Sequence, residues 1–370
     1  MKKQPYLLSG IIALAFILMS WGGTGHYKIN TDASLSFNEE MNEFNSWTSI
    51  LAEHASDADA RKAWDSNESE KHYIDIDNYS EFTSSGTIPQ TLSAAISAHS
   101  SSFVYGNGIL PWATLTAYDS LKNCFARGNW DKAVLFASDL GHYVADGHMP
   151  LHITRNYDGQ YTDNDGIHSR YESTMINSYI SQINYTGENI EAISNVNQYI
   201  FDYIYSNYQY VDTVIAADDY AKSISSYTSS TEYKTALWEY SKEFTISLFK
   251  NASHALTELI YTAWTEAGSP SMTTTGFENT LAESFVILEQ NYPNPFSNST
   301  TIQFRLKENT KVHLQITDVT GKPVSTLMNE PKTAGDYSIV FNSEKLSNGI
   351  YYLILDTEKN HLVKEMMLIR

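Results

Sequence analysis

The chain has 370 residues, 42% of them hydrophobic and 13% aromatic, which is enough for sizeable cores and about two domains. Its formal net charge of −19 excludes nonspecific duplex binding through a basic surface, although a metal-centred site would still attract phosphate. A single cysteine, Cys124, excludes an internal disulfide framework, and in its helical stretch it reads as a small core residue.

In chain order, residues 1–20 read as a secretory signal peptide: Lys2 and Lys3, an apolar run over 7–19, and small Ser20 at the cut. The run is shorter than the ~20 apolar residues of a membrane span, so no transmembrane segment is expected once it is removed. Cleavage after Ser20 frees the α-amine of Trp21. A deprotonated amine is a competent zinc ligand, and His26 lies just downstream.

Residues 27–267 predict a mostly helical region, with helices over 92–100, 112–127, 130–147, 169–183, 190–207, 213–226 and 232–267. The 130–147 segment repeats Ala133, Val134, Ala137, Leu140, Tyr143 and Val144 at helical spacing. Residues 268–284 are rich in Ser, Thr, Gly and Pro and read as a linker. From 285 to 370 short alternating runs take over, at 300–306, 311–319, 337–341, 349–356 and 362–369, separated by turn residues. This pattern predicts a small all-β sandwich.

Metal-type residues concentrate in the helical region. His142 and Asp146 stand four apart, one above the other on a helix face. Pro150 discourages further helix at Met149 and turns the chain, which brings His152 back towards that face. His168 and Glu172 repeat the spacing. Upstream lies His72, preceded by Asp57 and Asp59. One such pair is a weak signal, because His–carboxylate pairs often make ordinary hydrogen bonds. Two pairs with His152 between them and His72 upstream are a constellation. Imidazole and carboxylate together suit zinc, and the lack of thiolates argues against a Cys-rich structural site. Blander roles are expected for His54, His99, His148, His254, His313 and His361. Trp112 fits a cleft wall or a core aromatic equally well, and Arg170 fits a phosphate contact or an ordinary ion pair.

Taken together, Trp21, His26, Asp57, His72, His142, Asp146, His152, His168 and Glu172 resemble the ligand pattern of the secreted zinc-dependent phospholipase C and single-strand nuclease superfamily. The likeness spans residues 21–267. It implies a mainly α-helical catalytic domain holding three clustered zinc ions. Trp21 would bind through its amine and carbonyl oxygen, and Asp146 would bridge two ions. By the same resemblance, Asp57, His72, His142 and Asp146 hold one zinc. Trp21, His26 and Asp146 hold the second, and His152, His168 and Glu172 hold the third. Asp57 and Asp146 are then the expected catalytic carboxylates, with Asp59 the alternative to Asp57. Asp59 or Asp75, if unligated, is a candidate to orient the attacking water.

The β region carries Asn291-Tyr292-Pro293-Asn294-Pro295-Phe296, Val324, Ala334-Gly335-Asp336-Tyr337 and Leu346-Ser347-Asn348-Gly349-Ile350-Tyr351-Tyr352. In order and spacing this resembles the C-terminal sorting domain of the type IX secretion pathway. The resemblance implies that residues 285–370 engage that machinery, followed by release or surface attachment. The plainer alternative is an immunoglobulin-like accessory domain.

The leading expectation is a secreted or surface-held monomer of phospholipase C type, cutting phospholipid to diacylglycerol and a phosphorylated head group, with a single-strand-specific nuclease as the alternative. The Gly166-Ile167-His168-Ser169-Arg170-Tyr171-Glu172 string is similar to the phospholipase branch. The Trp21–His26 step and the Asp57–His72 step are closer to the nuclease branch. A surface binding protein that keeps its metals for stability alone is the non-enzymatic alternative.

Overall fold

The Trp130–Gly147 helix covers the residues its spacing predicts. Asn129 caps it by accepting from the Lys132 amide at 3.4 Å, and the chain leaves the helix at His148, two residues ahead of Pro150. One buried stripe holds Ala133, Ala137, Leu140 and Val144, and because the helix is buried all round from Leu140 to Gly147, His142 and Asp146 are buried on its opposite face. The helices that pack on it include Gly22–Ala33, Thr48–Glu53, Leu110–Ala126 and Thr231–Glu266. Close approach of the first depends on Gly141, where an added Cβ would lie 2.2 Å from Asn30 Oδ1. Asn30 is buried, and its amide donates to the carbonyls of Leu51 and Ser138 at 2.9 and 3.2 Å.

This computed structural model describes residues 22–272, 286–288, 291, 296–318, 322–343, 346–347, 349–357 and 361–368. The expected signal peptide at 1–20, Trp21, most of the expected linker and Tyr292 to Pro295 of the sorting-type motif lie outside the described residues. Two compact units divide between Met272 and Thr273.

The first unit is helical. Thr231–Glu266, capped by Ser230 on the Tyr233 amide, sends Leu237, Trp238, Leu248, Leu256 and Ile260 into the core. The expected helix over 190–207 begins only at Val196. Residues ahead of it are tied down instead: the Ile193 amide donates to Thr262 Oγ1 at 2.9 Å, and Asn195 caps Gln198. The expected helix over 169–183 is broken into Ile167–Ser169, a π-helical turn at Arg170–Met175, Ile176–Tyr179 and a 3₁₀ turn at Ile180–Gln182. The wider turn lets Tyr171, Glu172 and Met175 all face inward. Gly22–Ala33 has no strong apolar periodicity, and its sequence GGTGHYKINTDA gives little sign of a helix. Cys124 is buried in the Leu110–Ala126 helix, as expected of a core residue.

The second unit is an antiparallel β-sandwich. Its strands are β1 (Val286–Leu288), β2 (Ser299–Leu306), β3 (Thr310–Asp318), β4 (Pro323–Lys332), β5 (Gly335–Asn342), β6 (Gly349–Asp356) and β7 (His361–Leu368). One sheet has the order β1-β2-β5 and the other β4-β3-β6-β7. Ile302, Phe304 and Leu306 from one sheet share a core with Val312, Leu314, Ile316, Leu353 and Leu355 from the other. β4 was not expected. It is an edge strand with no alternation of burial, Pro323 at its start and Pro331 near its end.

Candidate metal centre

Seven of the expected ligand side chains converge inside the helical unit. His142 and Asp146 come from the Trp130–Gly147 helix, and the turn at Pro150–His152 returns His152 to them. His26 is delivered by Gly22–Ala33, His72 by the turn Ser69–His72, and His168 and Glu172 by the segment around the π turn. All seven are buried, with His26, His142 and Asp146 at 0% exposure.

Among the described residues, three groups have ligand atoms close enough to share an ion: His26, His142 and Asp146; Asp59, His72 and His142; and His152, His168 and Glu172. The first two share His142. Asp146 spans them, with Oδ1 3.5 Å from His26 Nε2 and Oδ2 3.0 Å from His72 Nδ1 and 3.4 Å from His142 Nε2. His152 lies 3.8 Å from Asp146 Oδ1, which joins the third group to the other two. His26 stacks on His142 with ring centroids 3.9 Å apart.

The geometry separates the two expected candidates for one ligand. Asp57 is exposed and pairs with His54, its Oδ2 2.7 Å from His54 Nδ1, and belongs to none of the groups. Asp59 is buried, 3.6 Å from His72 Nδ1 and 3.7 Å from His142 Nε2. Residues two apart on a helix point about 200° apart, so only one of the two can face inward. Trp21 lies outside the described residues. Its neighbour Gly22 is buried, and a Cβ there would sit 3.2 Å from Ser173 Oγ, next to Glu172.

A metal-free reading leaves the centre poorly satisfied. His142, His152 and His168 each set Nδ1 against a backbone carbonyl, of Ala55, His72 and Tyr157, at 2.7, 2.6 and 3.0 Å. Nδ1 therefore carries the proton, and Nε2 presents a lone pair to the groups. Asp59 Oδ2, His152 Nε2 and His168 Nε2 are buried without a hydrogen-bond partner. His168 Nε2 is 3.1 Å from Glu172 Oε2 but poorly aligned for a hydrogen bond. Such orphans cost roughly 1–3 kcal/mol each, and a cation would satisfy them together. The donor set therefore fits zinc or a similar N/O-ligated ion.

Electrostatics hold four of these residues in binding form, whereas for His72 and His168 burial lowers the pKa but the carboxylates beside them, Asp146 and Glu172, raise it overall. Burial, helped by His142 beside His26 and by His72 beside His142, lowers the His26 and His142 pKa values to about 3 against the opposing charge of Asp146, so both rings are neutral at pH 7. Burial would raise Asp146, but the histidines around it, His142 first, hold it well below the usual carboxylate range. Glu172 is likewise raised by burial but lowered overall, chiefly by His168.

The other singled-out residues fall outside the three groups. His148 sets Nδ1 against the Val144 carbonyl and stacks on Tyr203. Arg170 is a structural anchor, with Nη2 2.9 and 2.8 Å from the two oxygens of Asp218. Trp112 lines a cavity of about 420 Å³ with Arg61, Glu68, Lys71, Phe136 and Tyr143, and none of the metal-type histidines lines it. Sequence reasoning missed Glu68, which is fully buried 3.5 Å from His72 Nε2. The spacing of Glu68 to His72, four residues, was the available signal.

No curated protein sequence matches the chain. Among solved structures, the alpha toxin from Clostridium absonum is similar at 13% identity and a TM-score of 0.41, over 94% of this chain and 95% of that one. The alpha toxin of a Clostridium perfringens avian strain is similar at 13% identity and a TM-score of 0.40, over 94% and 96%. Among the described residues no helix is long and apolar enough to cross a membrane. Residues 290–369 match the family model of the secretion system C-terminal sorting domain, so the second unit is a type IX secretion sorting tail and the protein is one exported to the cell surface or released.

Proposed function

We propose that residues 21–267 form a secreted, zinc-dependent phosphodiester hydrolase of phospholipase C type. It would cut the glycerol–phosphate bond of phospholipids to give diacylglycerol and a phosphorylated head group. The observation that carries this reading is the pair of adjoining ligand groups sharing His142 and spanned by Asp146, with a third group beside them. Asp59, His72, His142 and Asp146 would hold one ion. His26, Asp146 and the amine of Trp21 would hold the second, and His152, His168 and Glu172 the third.

Bound zinc supplies a nucleophile at neutral pH, by lowering the pKa of water to about 7, and charge compensation for phosphate. The chain's own residues prepare for that chemistry. His26 and His142 are neutral at working pH, so an ion need not displace their protons. The carbonyls of Ala55, His72 and Tyr157 fix three imidazoles in the donor orientation. The two oxygens of Asp146 face different partners, which suits a carboxylate holding two cations.

A single-strand nuclease is the second reading, favoured by the Trp21–His26 step. Taking Asp59 rather than Asp57 as the ligand, which its burial beside His72 and His142 supports, gives up the other nuclease-like spacing. Phosphocholine release from phosphatidylcholine vesicles, run beside digestion of single-stranded DNA with and without chelator, tests both. Zinc-dependent release of phosphocholine is expected. Digestion of DNA alone would transfer the assignment to the nuclease branch. Failure to hydrolyse any phosphodiester, a chromogenic one included, would leave the non-enzymatic alternative.

A further inference from the structure

Four histidines of the centre can be compared by what lies behind each ring. For His142, His152 and His168 it is a backbone carbonyl facing Nδ1. His72 is turned the other way round. Its Nδ1 faces the centre, 3.0 Å from both Asp146 Oδ2 and His142 Nε2. Its Nε2 points outward, buried and without a hydrogen-bond partner, with Glu68 Oε1 3.5 Å away. Two carboxylates thus compete to place the proton on this ring. Asp146 favours Nδ1–H, which would block metal binding. Glu68 favours Nε2–H, which frees the Nδ1 lone pair.

We infer that Glu68 is a positioning residue. With its carboxylate 3.5 Å from Nε2 of His72, it favours the tautomer that carries the proton there, in which Nδ1 is a metal donor. This rests on the proposed metal centre. The support lies in how Glu68 itself is held. Its side chain is at 0% exposure, yet three donors converge on it: Tyr143 Oη at 2.5 Å, Lys71 Nζ at 2.7 Å and Arg61 Nη2 at 3.4 Å. Tyr143 lies beside His142 on the same helix, and Arg61 is fixed in turn by Asp139 at 3.0 Å. Burying a carboxylate is unfavourable unless it is paired and bonded. Here the cations also lock its direction, so that Oε1, which accepts from Tyr143, also faces Nε2 of His72. Carboxylates behind ligating histidines fix ring orientation and raise ligand basicity, and their loss typically weakens metal affinity by about 10–100-fold.

The test uses the full mature chain, wild type beside Glu68→Gln and Glu68→Met. Zinc stoichiometry and dissociation constants are measured by competition with a chromogenic chelator. The ring tautomer of His72 is read by nitrogen-15 NMR on histidine-labelled, zinc-loaded protein. Glu68→Met is expected to weaken one zinc site by about 10–100-fold, and Glu68→Gln, which keeps an acceptor oxygen, by about 10-fold or less. The other sites should be unchanged, and wild-type His72 should carry its proton on Nε2. If Glu68→Met does not fold, Glu68→Gln and the wild-type tautomer decide. Unchanged affinities in the variants, or a wild-type His72 bound through Nε2, overturn the inference. So does a loss of metal-free thermal stability with no change in affinity. A wild-type protein that binds no zinc overturns instead the metal centre on which it rests.

Discussion

Asp57 and Asp59 stand two residues apart on one short helix and serve opposite faces of it. Asp57 Oδ2 meets the exposed His54, while Asp59 is buried with its Oδ2 lacking a hydrogen-bond partner beside His72 and His142. Asp59→Asn should therefore lose one bound zinc and at least about 100-fold in activity, since even supporting residues behind metal ligands cost 10–100-fold. Asp57→Asn should keep full metal content and near-normal activity. Metal analysis and initial rates on the two variants check this. The reverse ranking would restore Asp57 as the ligand.

That pair also marks where the sequence stops being legible. His142, Asp146, His168 and Glu172 could be placed because spacing of four on a helix fixes a shared face. His152 followed from Pro150, which can only end the helix. Asp57 and Asp59 lie on a five-residue helix outside any apolar repeat, so nothing in the sequence said which one turned inward. Glu68 was missed because its role depends on Tyr143 and Arg61, which meet it only in three dimensions. In the sandwich, β2, β3, β5, β6 and β7 announced themselves by alternation, whereas β4 lies at an edge, without it. The π turn at Arg170–Met175 was invisible because its residues have ordinary helical composition.

Gly141 controls how closely the first helix can approach the metal-bearing one. A methyl group there meets Asn30 Oδ1 at 2.2 Å and Leu256 Cδ2 at 2.7 Å. Asn30 cannot swing away freely, because its amide holds the carbonyls of Leu51 and Ser138. Gly141→Ala should destabilise the protein by about 1–3 kcal/mol despite the better helix propensity of alanine. His26 rides on the displaced helix, so zinc affinity should fall as well. Thermal unfolding with a parallel zinc titration measures both, and an unchanged melting temperature would refute the packing argument.

Asp218 anchors the segment between His168 and Glu172. It accepts from Arg170, Lys222, Asn164 and Tyr233 and is itself at 0% side-chain exposure. Burial pushes its pKa up, but the bonds from Lys222, Tyr233 and Asn164 and the charge of Arg170 outweigh that and hold it below its ordinary value. A depressed carboxyl pKa contributes stability that is full above the unfolded value of about 3.9 and is lost as pH falls through the folded one. Asp218→Asn should cost about 3–5 kcal/mol at neutral pH, since it leaves two cations unpaired. It should also flatten the stability curve below about pH 4. Chemical unfolding of the metal-free proteins between pH 3 and 7 tests this, and equal slopes for both would rule out the ion pair as the cause.

The start of the mature chain is expected to complete the centre. Gly22 is buried with its backbone at φ +51°, and a Cβ there would contact Ser173, the neighbour of Glu172. With Ser20 still attached, the nitrogen of Trp21 is an amide, which offers no lone pair to a cation. With Ser20 removed it is an amine, which does. Extending the mature chain by one residue before Trp21 changes only that chemistry, leaving every side chain of the core in place. The extended protein should bind one zinc fewer and lose about 100-fold or more in activity. Its helical circular dichroism should be unchanged. Trimming the extra residue with an aminopeptidase should restore both metal and rate. Full zinc content and full activity in the extended form would show that Trp21 is not a ligand, and that His26 and Asp146 hold their ion without it.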